Sequence, residues 1–430
     1  MMNTTNTTTK GRRIGARRRL SPAGVLAGAA LALVSLTGCD SLLEVDLPGT
    51  VAAEDLGNPA LAQTLVNSAL GQFECAYTSY VATTGILAGE YRNASSWLNV
   101  NTWGWRGLEL FSITGSCPTG RDATGLGAYT PLQQARYVAE EATRLIEGFA
   151  ENSVPDRADK LGQLAAYSAF SYVLLGEGFC EMAVDQGPLM SREEVMRVAE
   201  ERFTTAIGHA QAAGNDGIRT LATAGRARAR LNLGDLSGAA SDAEQVPQGF
   251  VWNAEYSTVN GRRENRLYNL NQRNRVLSVE PEEFGGLTVG DRPDHRVPVE
   301  DSGLLGHDGV TDHWFQQKYP SADSPIPMAS WAEAQLILAE ARPDQAVQII
   351  NGLRAAQDLP ALDEPVASHR DLIIEERRRQ LFSEGHRLND KLRFDIPFPT
   401  GNNHKGQAWG PITCMPLPDQ ERQNNPNIGP

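Results

Sequence analysis

The densest group of reactive side chains lies in the segment IIEERRRQLFSEGHR, residues 373–387. It combines carboxylates, arginines and a histidine, which together could serve as general acid, general base and binding site for an anionic substrate. The members are Glu375, Glu376, Glu384, Arg377, Arg378, Arg379, Arg387 and His386. Whether the group is an active site or a structural element depends on the face that each side chain occupies on a helix.

Helical periodicity predicts that this segment is structural. At 100° per residue, four apolar or small residues fall within about 40° of Ile374 and form one packing stripe. They are Leu381, Gly385, Leu388 and Leu392. Arg378 falls on the same side, so it should lie between two packed helices, where an arginine needs a hydrogen-bonded carboxylate. Glu333 and Glu340 share one face of a preceding helix, and we predict that one of them pairs with Arg378.

A stronger candidate for ligand binding is the segment YRNASSWLNVNTWGWRGLE, residues 91–109, which we predict to be non-helical. An aromatic ring can stack on the apolar C–H face of a sugar, while amide and guanidinium groups bind its hydroxyls. The predicted binding residues are Trp97, Asn99, Asn101, Trp103 and Trp105. We therefore predict an oligosaccharide-binding surface in this segment. The alternative is that these tryptophans anchor a loop to the core.

A second region, residues 250–319, also spreads aromatic rings among polar residues. Its two tryptophans are Trp252 and Trp314, and we predict that they form a facing wall of the same binding site. Ordinary packing within a long loop explains this pattern equally well, so both interpretations stay open.

Three histidines and three of the aspartates near them in residues 291–315 raise the question of a metal site. They are His295, His307, His313, Asp294, Asp308 and Asp312. No two of the histidines have the i, i+4 spacing of a helical ligand pair, and no acidic calcium-binding loop is complete. We therefore expect loop hydrogen bonding, and neither a metal nor another cofactor. The sequence also contains no nucleophile elbow, phosphate loop, zinc-protease motif or dinucleotide fingerprint, so we do not expect an enzyme.

Residues 1–38 have the composition of a bacterial secretory signal. Six basic residues precede an apolar stretch, residues 23–36, which is too short to span a bilayer as a helix. The stretch ends in LTGC, a lipobox pattern in which Cys39 would receive the lipid after cleavage. The mature protein would then be anchored to a membrane without spanning it. An ordinary signal peptide beside a cysteine is the alternative.

The charge of the mature chain limits its partners. Of the 39 basic residues, six belong to the signal, so 33 remain against 52 acidic ones, a formal charge of −19. Nucleic acid requires a basic binding face, so we expect no nucleic-acid partner. A neutral ligand is compatible with this charge.

Four cysteines follow Cys39, and they are Cys75, Cys117, Cys180 and Cys414. An exported chain meets an oxidising compartment, so an even number of cysteines indicates disulfides. Three pairings are possible. We favour Cys75–Cys117 as a local loop and Cys180–Cys414 as a tie between the carboxyl-terminal tail and a central helix. The lack of a Cys-x-x-Cys spacing argues against zinc.

A mainly helical chain must position these groups. A first helix should open at Asn58 and Pro59, where an N-cap residue precedes a proline. Further helices are predicted near residues 133–149, 157–178, 191–213, 218–233, 236–245, 328–341, 344–356 and 368–392. Residues 221–247 and 332–357 have the small residues and short turns of helical hairpins of the tetratricopeptide type.

The predicted fold class is therefore all-α, a tetratricopeptide-like helical hairpin scaffold with long loop insertions and a few short strands. The loop insertions are residues 91–130 and 250–327. The predicted organisation is a signal, residues 1–38, an extended lead from the anchor, residues 39–57, and a single helical domain, residues 58–430.

These features together resemble the SusD/RagB family of outer-membrane nutrient-binding lipoproteins. The resemblance runs from CDSLLEVDLPG after the lipobox, through the helical hairpins, to DHRV at residues 294–297. Its most specific parts are SWAEAQLILAEA (330–341), IIEERRRQLFSEGHRLNDKLRF (373–394) and CMPLPDQERQNNPNIGP (414–430). Two positions depart from the family pattern. Ser330 stands where a basic residue is common, and Gln380 stands where a glutamate is common.

The resemblance implies a lipid-anchored protein of the outer membrane, displayed at the cell surface. Its partner would be a SusC-like, TonB-dependent barrel, for which the protein captures ligand as a lid, without catalysis. The implied ligand is an oligosaccharide; the alternatives are a peptide or another nutrient, or a structural lid with little affinity of its own. Family members bind through variable loops, so the binding residues named above depend on the aromatic pattern alone.

Overall fold

The described part of the chain begins at the start of the first predicted helix. The computed structural model of the protein describes residues 57–107, 114–117, 126–362 and 365–428. The signal, the lipidation site Cys39 and the lead up to residue 56 lie outside the described residues, as do residues 108 and 109 of the aromatic segment. The chain divides into two units, Met1–Ala53 and Glu54–Pro430, and every described residue belongs to the second.

Helices supply most of the described structure, which confirms the predicted all-α class. In chain order, helices α1 to α14 are Ala62–Ala88, Leu98–Gly104, Tyr129–Gly148, Arg157–Gly178, Arg192–Ala213, Asp216–Asn232, Leu236–Ala243, Arg266–Tyr268, Pro281–Phe284, Trp331–Ala341, Ala346–Ala355, His369–Gln380, Arg387–Arg393 and Asp419–Asn424. Of the helices in the described ranges, none has both the length and the apolar character needed to cross a bilayer.

The strands are short, and most of them lie in the second predicted loop insertion. Strands β1 to β10 are Tyr91–Asn93, Glu181–Met182, Met190–Ser191, Val251–Ala254, Leu277–Val279, Thr288–Val289, Arg292–Pro293, Val299–Leu305, Asp312–Gln316 and Ile326–Ser330. They form antiparallel pairs: β1 with β5, β2 with β3, β4 with β10, β6 with β7, and β8 with β9. The β1–β5 pair connects the first insertion with the second.

Neighbouring helices pack as hairpins, as the tetratricopeptide-like pattern predicts. Helices α3 to α7 pack on one another in chain order, and α10 packs on α7 and α11. Local signals define the helix starts. The side chain of Asn215 accepts a hydrogen bond from the backbone N–H of Ile218 at the start of α6, and Asp235 does the same for Gly238 in α7. Gly225 on α6 allows close packing, because a β-carbon there would lie 2.3 Å from the ring of Phe203 on α5.

Two glycines on this hairpin should respond to alanine in opposite directions. Gly225→Ala should lower the free energy of unfolding by about 1–3 kcal/mol, because the added methyl group overpacks the α5–α6 crossing. Gly208→Ala is the matched control on α5, where a β-carbon meets nothing within 4 Å. It should raise the free energy of unfolding by about 0.5–1 kcal/mol through helix propensity. Guanidinium denaturation of both variants checks the prediction, and a stabilised Gly225→Ala would contradict it.

The last predicted helix, residues 368–392, is two helices, so the prediction of one continuous helix is wrong. Helix α12 ends at Gln380 and α13 begins at Arg387. Between them Ser383 (φ 62°) and Gly385 (φ 82°) adopt left-handed backbone conformations, which a helix cannot contain. Gly385 does approach another helix closely, as predicted, because its β-carbon position lies 3.2 Å from the ring of Tyr80 on α1.

The predicted ion pair of Arg378 with Glu333 or Glu340 is also wrong. Arg378 pairs with Glu375 on its own helix, at 2.7 Å, and its guanidinium lies 5.2 Å from the ring centre of Phe284 on α9. Glu340 instead pairs with Arg393 at 2.6 Å, and Glu333 faces Arg228. The physical reason is that this side of α12 packs against α9, so it does not face the carboxylates of α10.

The structure contains both disulfides that we favoured. Cys75 is bonded to Cys117, with α-carbons 5.9 Å apart, and Cys180 is bonded to Cys414, with α-carbons 5.3 Å apart. Cys180 follows the end of α4. The second disulfide therefore ties the tail to the central helix α4, as predicted.

Candidate functional site

The side chains best placed to meet a ligand lie where α2 begins. Trp97 immediately precedes α2 and is half-buried, Leu98 is 68% exposed, and Asn99 is half-buried. The exposed imidazole of His307 packs edge to face against the indole of Trp97, with ring centres 4.7 Å apart. We call these four residues the Trp97 surface.

Hydrogen bonds from three chain segments hold the Trp97 surface in place. The backbone N–H of Asp308 donates to the carbonyl of Ala94 at 3.0 Å, which fixes the β8–β9 loop beside β1. The ammonium group of Lys405 donates to the carbonyl of Ser95 at 2.7 Å and pairs with the carboxylate of Asp308 at 2.6 Å. A turn near residue 405 therefore fastens both segments that carry the aromatic rings.

The charges of Asp308 and Lys405, which hold the Trp97 surface, pair with each other. Burial would raise the pKa of Asp308, but hydrogen bonds from Lys405, Thr311 and Val310 outweigh burial and hold the pKa well below its ordinary value. Asp308 is therefore ionised at neutral pH and committed to Lys405. A surface of this kind offers aromatic, apolar and amide groups, and it suits a neutral ligand with apolar faces and hydroxyls.

One of the predicted binding residues in this segment, Trp103, does not face solvent. Trp103 is completely buried in the main core, so its prediction as a ligand contact is wrong. The reason is that the segment forms α2 where we predicted non-helical structure, and the helix turns Trp103 inward. The side-chain oxygen of Asn101 accepts a hydrogen bond from Asn93 at 2.9 Å, which holds the loop before α2. Trp105 is half-buried and covers Gly107, where a β-carbon would lie 2.0 Å from the indole.

The structure does not bring the two more distant tryptophans together as a facing wall. Trp252 lies on β4 and donates from its indole nitrogen to the hydroxyl of Tyr167 on α4, at 3.2 Å. Its ring also packs beside Gly217 at the start of α6, so Trp252 belongs to the helical scaffold. Trp314 is half-buried on β9, in the same hairpin that carries His307. In the part of the chain that the structure describes, neither indole makes a ring contact with Trp97.

Of the histidines and aspartates of residues 291–315, His313, Asp294 and Asp308 each have separate partners. His313 is buried and donates from Nε2 to the carbonyl of Leu277 at 3.1 Å. Asp294 pairs with Arg296 at 2.8 Å. Within the described ranges, no three histidine, cysteine, aspartate or glutamate side chains are grouped so that they could hold a metal ion.

The sequence did not indicate two contributors to the site. Lys405 lies about three hundred residues from its partner Ser95, and no local pattern marks it. Val310, at the tip of the β8–β9 hairpin, is 75% exposed, and Leu304 and Leu305 of β8 are exposed nearby. The sequence signal that could have predicted this apolar tip is the pair of consecutive leucines before a Gly-rich turn.

A separate cleft of about 420 Å³ beside α3 also combines aromatic and polar side chains. Its lining includes Tyr129, Tyr137 and Glu421, which no sequence motif marks. The hydroxyl of Tyr129 donates to Glu421 at 2.7 Å, and Arg136 pairs with Asp185 at 2.6 Å. These polar groups satisfy one another, so the cleft is better explained as the contact between α3 and the tail.

No family model matches the chain, and no curated protein matches its sequence. Solved structures do share its fold. A SusD-like carbohydrate binding protein from Bacteroides vulgatus ATCC 8482 is 14% identical and covers 86% of this chain and 97% of its own, with a TM-score of 0.62. A putative sugar binding protein from the same strain is 15% identical, with 86% and 98% covered and a TM-score of 0.61.

A SusD superfamily protein from Bacteroides thetaiotaomicron VPI-5482 is 13% identical to the chain. The match covers 86% of this chain and 99% of that one, with a TM-score of 0.64. Nearly the whole of each solved structure therefore has a counterpart among the helices and loops described above. The chain has the SusD-like fold.

Proposed function

We propose that the chain is a non-catalytic member of the SusD/RagB family that binds oligosaccharide at the Trp97 surface. The observation that carries this proposal is the half-buried indole of Trp97, held beside exposed Leu98 and His307, where the nearby charges of Asp308 and Lys405 pair with each other. Two proteins of the same fold are described as carbohydrate or sugar binding, which supports the ligand class. Asp308 and Lys405, which hold the Trp97 surface, pair with each other, which supports a binding role.

The cellular setting belongs to the same proposal. Cys39 in the LTGC lipobox would carry the lipid, which would anchor the protein in the outer membrane with its binding surface displayed outward. A SusC-like, TonB-dependent barrel would receive the captured ligand. These statements are supported by the signal-like first 38 residues and by the sequence resemblance.

A peptide ligand is the second candidate, and the apolar tip of the β8–β9 hairpin favours it. Val310, Leu304, Leu305 and Leu98 are exposed large aliphatic side chains. An aliphatic rim would bind apolar side chains of a peptide more readily than it would bind sugar hydroxyls. Screening oligosaccharides and peptides side by side on protein with Cys39→Ala separates the two candidates.

Trp97→Ala should weaken binding of the oligosaccharide that binds most tightly in this screen. The affinity should fall by roughly tenfold or more, because the stacking ring supplies a central contact of the surface. Trp97→Phe keeps an aromatic face and should retain most of the affinity. Isothermal titration of the three proteins with that oligosaccharide measures the effect.

Tyr137→Ala is the control for this experiment, because it removes an exposed aromatic ring from α3, outside the Trp97 surface. It should leave the affinity unchanged. Equal affinity of wild-type protein and Trp97→Ala would refute the proposed surface. Binding of peptides and of no oligosaccharide would refute the ligand class and support the second candidate.

A further inference from the structure

A pocket of about 280 Å³ lies where the start of α10 meets the segments that follow α11 and α12. It is lined by Phe250, Val251, Trp331, Gln357, Gln380 and Glu384, among others. None of its lining residues belongs to the Trp97 surface. Val251 is 51% exposed and marks the side on which the pocket opens to solvent.

Two glutamines that line this pocket each have a buried side-chain oxygen that lacks a donor. The side-chain oxygens of Gln357 and Gln380 are shielded from solvent and have no hydrogen-bond partner among the described residues. Buried polar atoms are almost always paired, so two unpaired oxygens in one pocket point to a missing donor group. The two glutamines come from different helices, since Gln380 ends α12 and Gln357 lies just beyond α11.

Glu384 provides a third acceptor in the same pocket. It is buried, and its Oε1 accepts a hydrogen bond from the ammonium group of Lys318 at 2.7 Å. Lys318 also donates to the carbonyl of Phe382 at 2.9 Å, so this second hydrogen bond holds its ammonium group in place. The other oxygen of Glu384 retains acceptor capacity, because an ionised carboxylate accepts about four hydrogen bonds.

The remaining walls are aromatic and aliphatic. The half-buried rings of Phe250 and Trp331 line the pocket, and the backbone N–H of Trp331 donates to the carbonyl of Phe250 at 2.8 Å, which fixes their spacing. Pro327 and Ala332 add apolar surface. Aromatic faces attract cations, and apolar walls accept an alkyl chain.

We propose that this pocket binds the ammonium group of a primary alkylamine, with the alkyl chain against Phe250 and Trp331. An ammonium group has three donors and no acceptor, which matches the acceptors of Gln357, Gln380 and Glu384. A neutral alcohol supplies one donor, and an anion supplies none. The formal net charge of −13 on the full chain further favours a cation over an anion. This site is independent of the proposed oligosaccharide binding.

Titration of the purified protein with n-butylammonium chloride at pH 7 tests this site, since a primary amine is protonated at that pH. We expect saturable binding, with 1-butanol binding roughly tenfold more weakly. Gln380→Glu adds charge to an acceptor and should tighten butylammonium binding by roughly tenfold. Gln380→Met keeps the size of the side chain, removes the acceptor and should weaken binding by roughly tenfold.

Gln348→Glu is the matched control, because it places the same added charge at an exposed position on α11 outside the pocket. It should change the affinity less than about twofold. Equal binding of 1-butanol or methyl glucoside and butylammonium would overturn the proposal. So would weaker or unchanged butylammonium binding by Gln380→Glu, provided that its thermal unfolding matches that of the wild-type protein.

Discussion

Replacing Arg228 with methionine is expected to lower the free energy of unfolding by about 3–5 kcal/mol. Arg228 is buried on α6, and its guanidinium donates two hydrogen bonds to the carboxylate of Glu177 on α4. Glu333 on α10 approaches the same guanidinium at 3.6 Å. Glu177 is only 1% exposed, so without Arg228 its charge would be left in the core with no ion pair to any residue in the described ranges. An unpaired buried charge is among the most destabilising changes known for a single substitution.

Three groups around Arg228 cannot replace its charge. Burial holds the pKa of His386 well below its ordinary value, so its imidazole is neutral at pH 7. Burial also raises the pKa of Glu333 to about 7, against the opposing effect of Arg228. Asn232 donates to Glu177 at 2.9 Å, but an amide carries no charge. Among the described residues, Arg228 is therefore the cation that is hydrogen-bonded to the carboxylate of Glu177.

Guanidinium denaturation of two further variants distinguishes the effect of an unpaired charge on Glu177 from the effect of lost packing. Arg197→Met removes an arginine paired with Glu193 at the surface, where both side chains are 62% exposed, and should cost less than about 1 kcal/mol. Arg228→Met combined with Glu177→Met removes both charges and should be more stable than Arg228→Met alone. A single-variant loss no larger than that of Arg197→Met would contradict the expectation.

Helices with local start and stop signals could be predicted from the sequence closely. The SREE pattern predicted a helix from residue 191, and α5 begins at Arg192 with Ser191 as its cap and Glu194 completing a capping box. Gly214, in a left-handed conformation, ends it. Such signals lie within four residues of the helix end that they determine, so a single sequence contains them.

The break between α12 and α13 could not be predicted, because distant residues stabilise it. The backbone N–H of Ser383 donates to the carboxylate of Glu90 at 3.0 Å, and the Ser383 hydroxyl pairs with the hydroxyl of Tyr91 at 2.6 Å. Both partners lie about 290 residues earlier in the chain. The helical periodicity continues through the break, so local pattern alone favours one long helix. Because the segment is two helices and not one, Arg378 also has a different partner from the one predicted.

The Trp97 surface, where we propose binding, was predictable only in part, for the same reason. Stacking chemistry identified Trp97, which does lie at the surface, but the same argument also selected Trp103, which α2 turns into the core. Residue type indicates what a side chain can do, whereas its exposure depends on helix phase and on segments far away. Lys405 and His307 reach the surface through such segments, and no spacing in the sequence brings them to Trp97.

Removing the Cys180–Cys414 disulfide by Cys180→Ala and Cys414→Ala is expected to lower the free energy of unfolding by about 3–5 kcal/mol. The bond spans 234 residues, so it restricts the unfolded chain more than the Cys75–Cys117 bond, which spans 42. The entropic cost of closing a loop grows with the logarithm of its length, which predicts a difference of about 1–2 kcal/mol between the two disulfides. Guanidinium denaturation of the two double-alanine variants measures that difference.

The native tail should stay docked when this disulfide is absent. The lower free energy of unfolding would then come from the greater freedom of the unfolded chain. Met415 and Leu417 are buried, and the backbone N–H of Met415 donates to the carbonyl of Gly178 at 2.9 Å. The side chain of Asn425 also donates to the carbonyl of Gly187 at 2.9 Å. Limited proteolysis should therefore leave the tail of the Cys180→Ala, Cys414→Ala variant uncut under native conditions. Rapid cleavage after residue 414, or a smaller loss of stability than for the Cys75–Cys117 variant, would show that the disulfide acts by holding the folded tail.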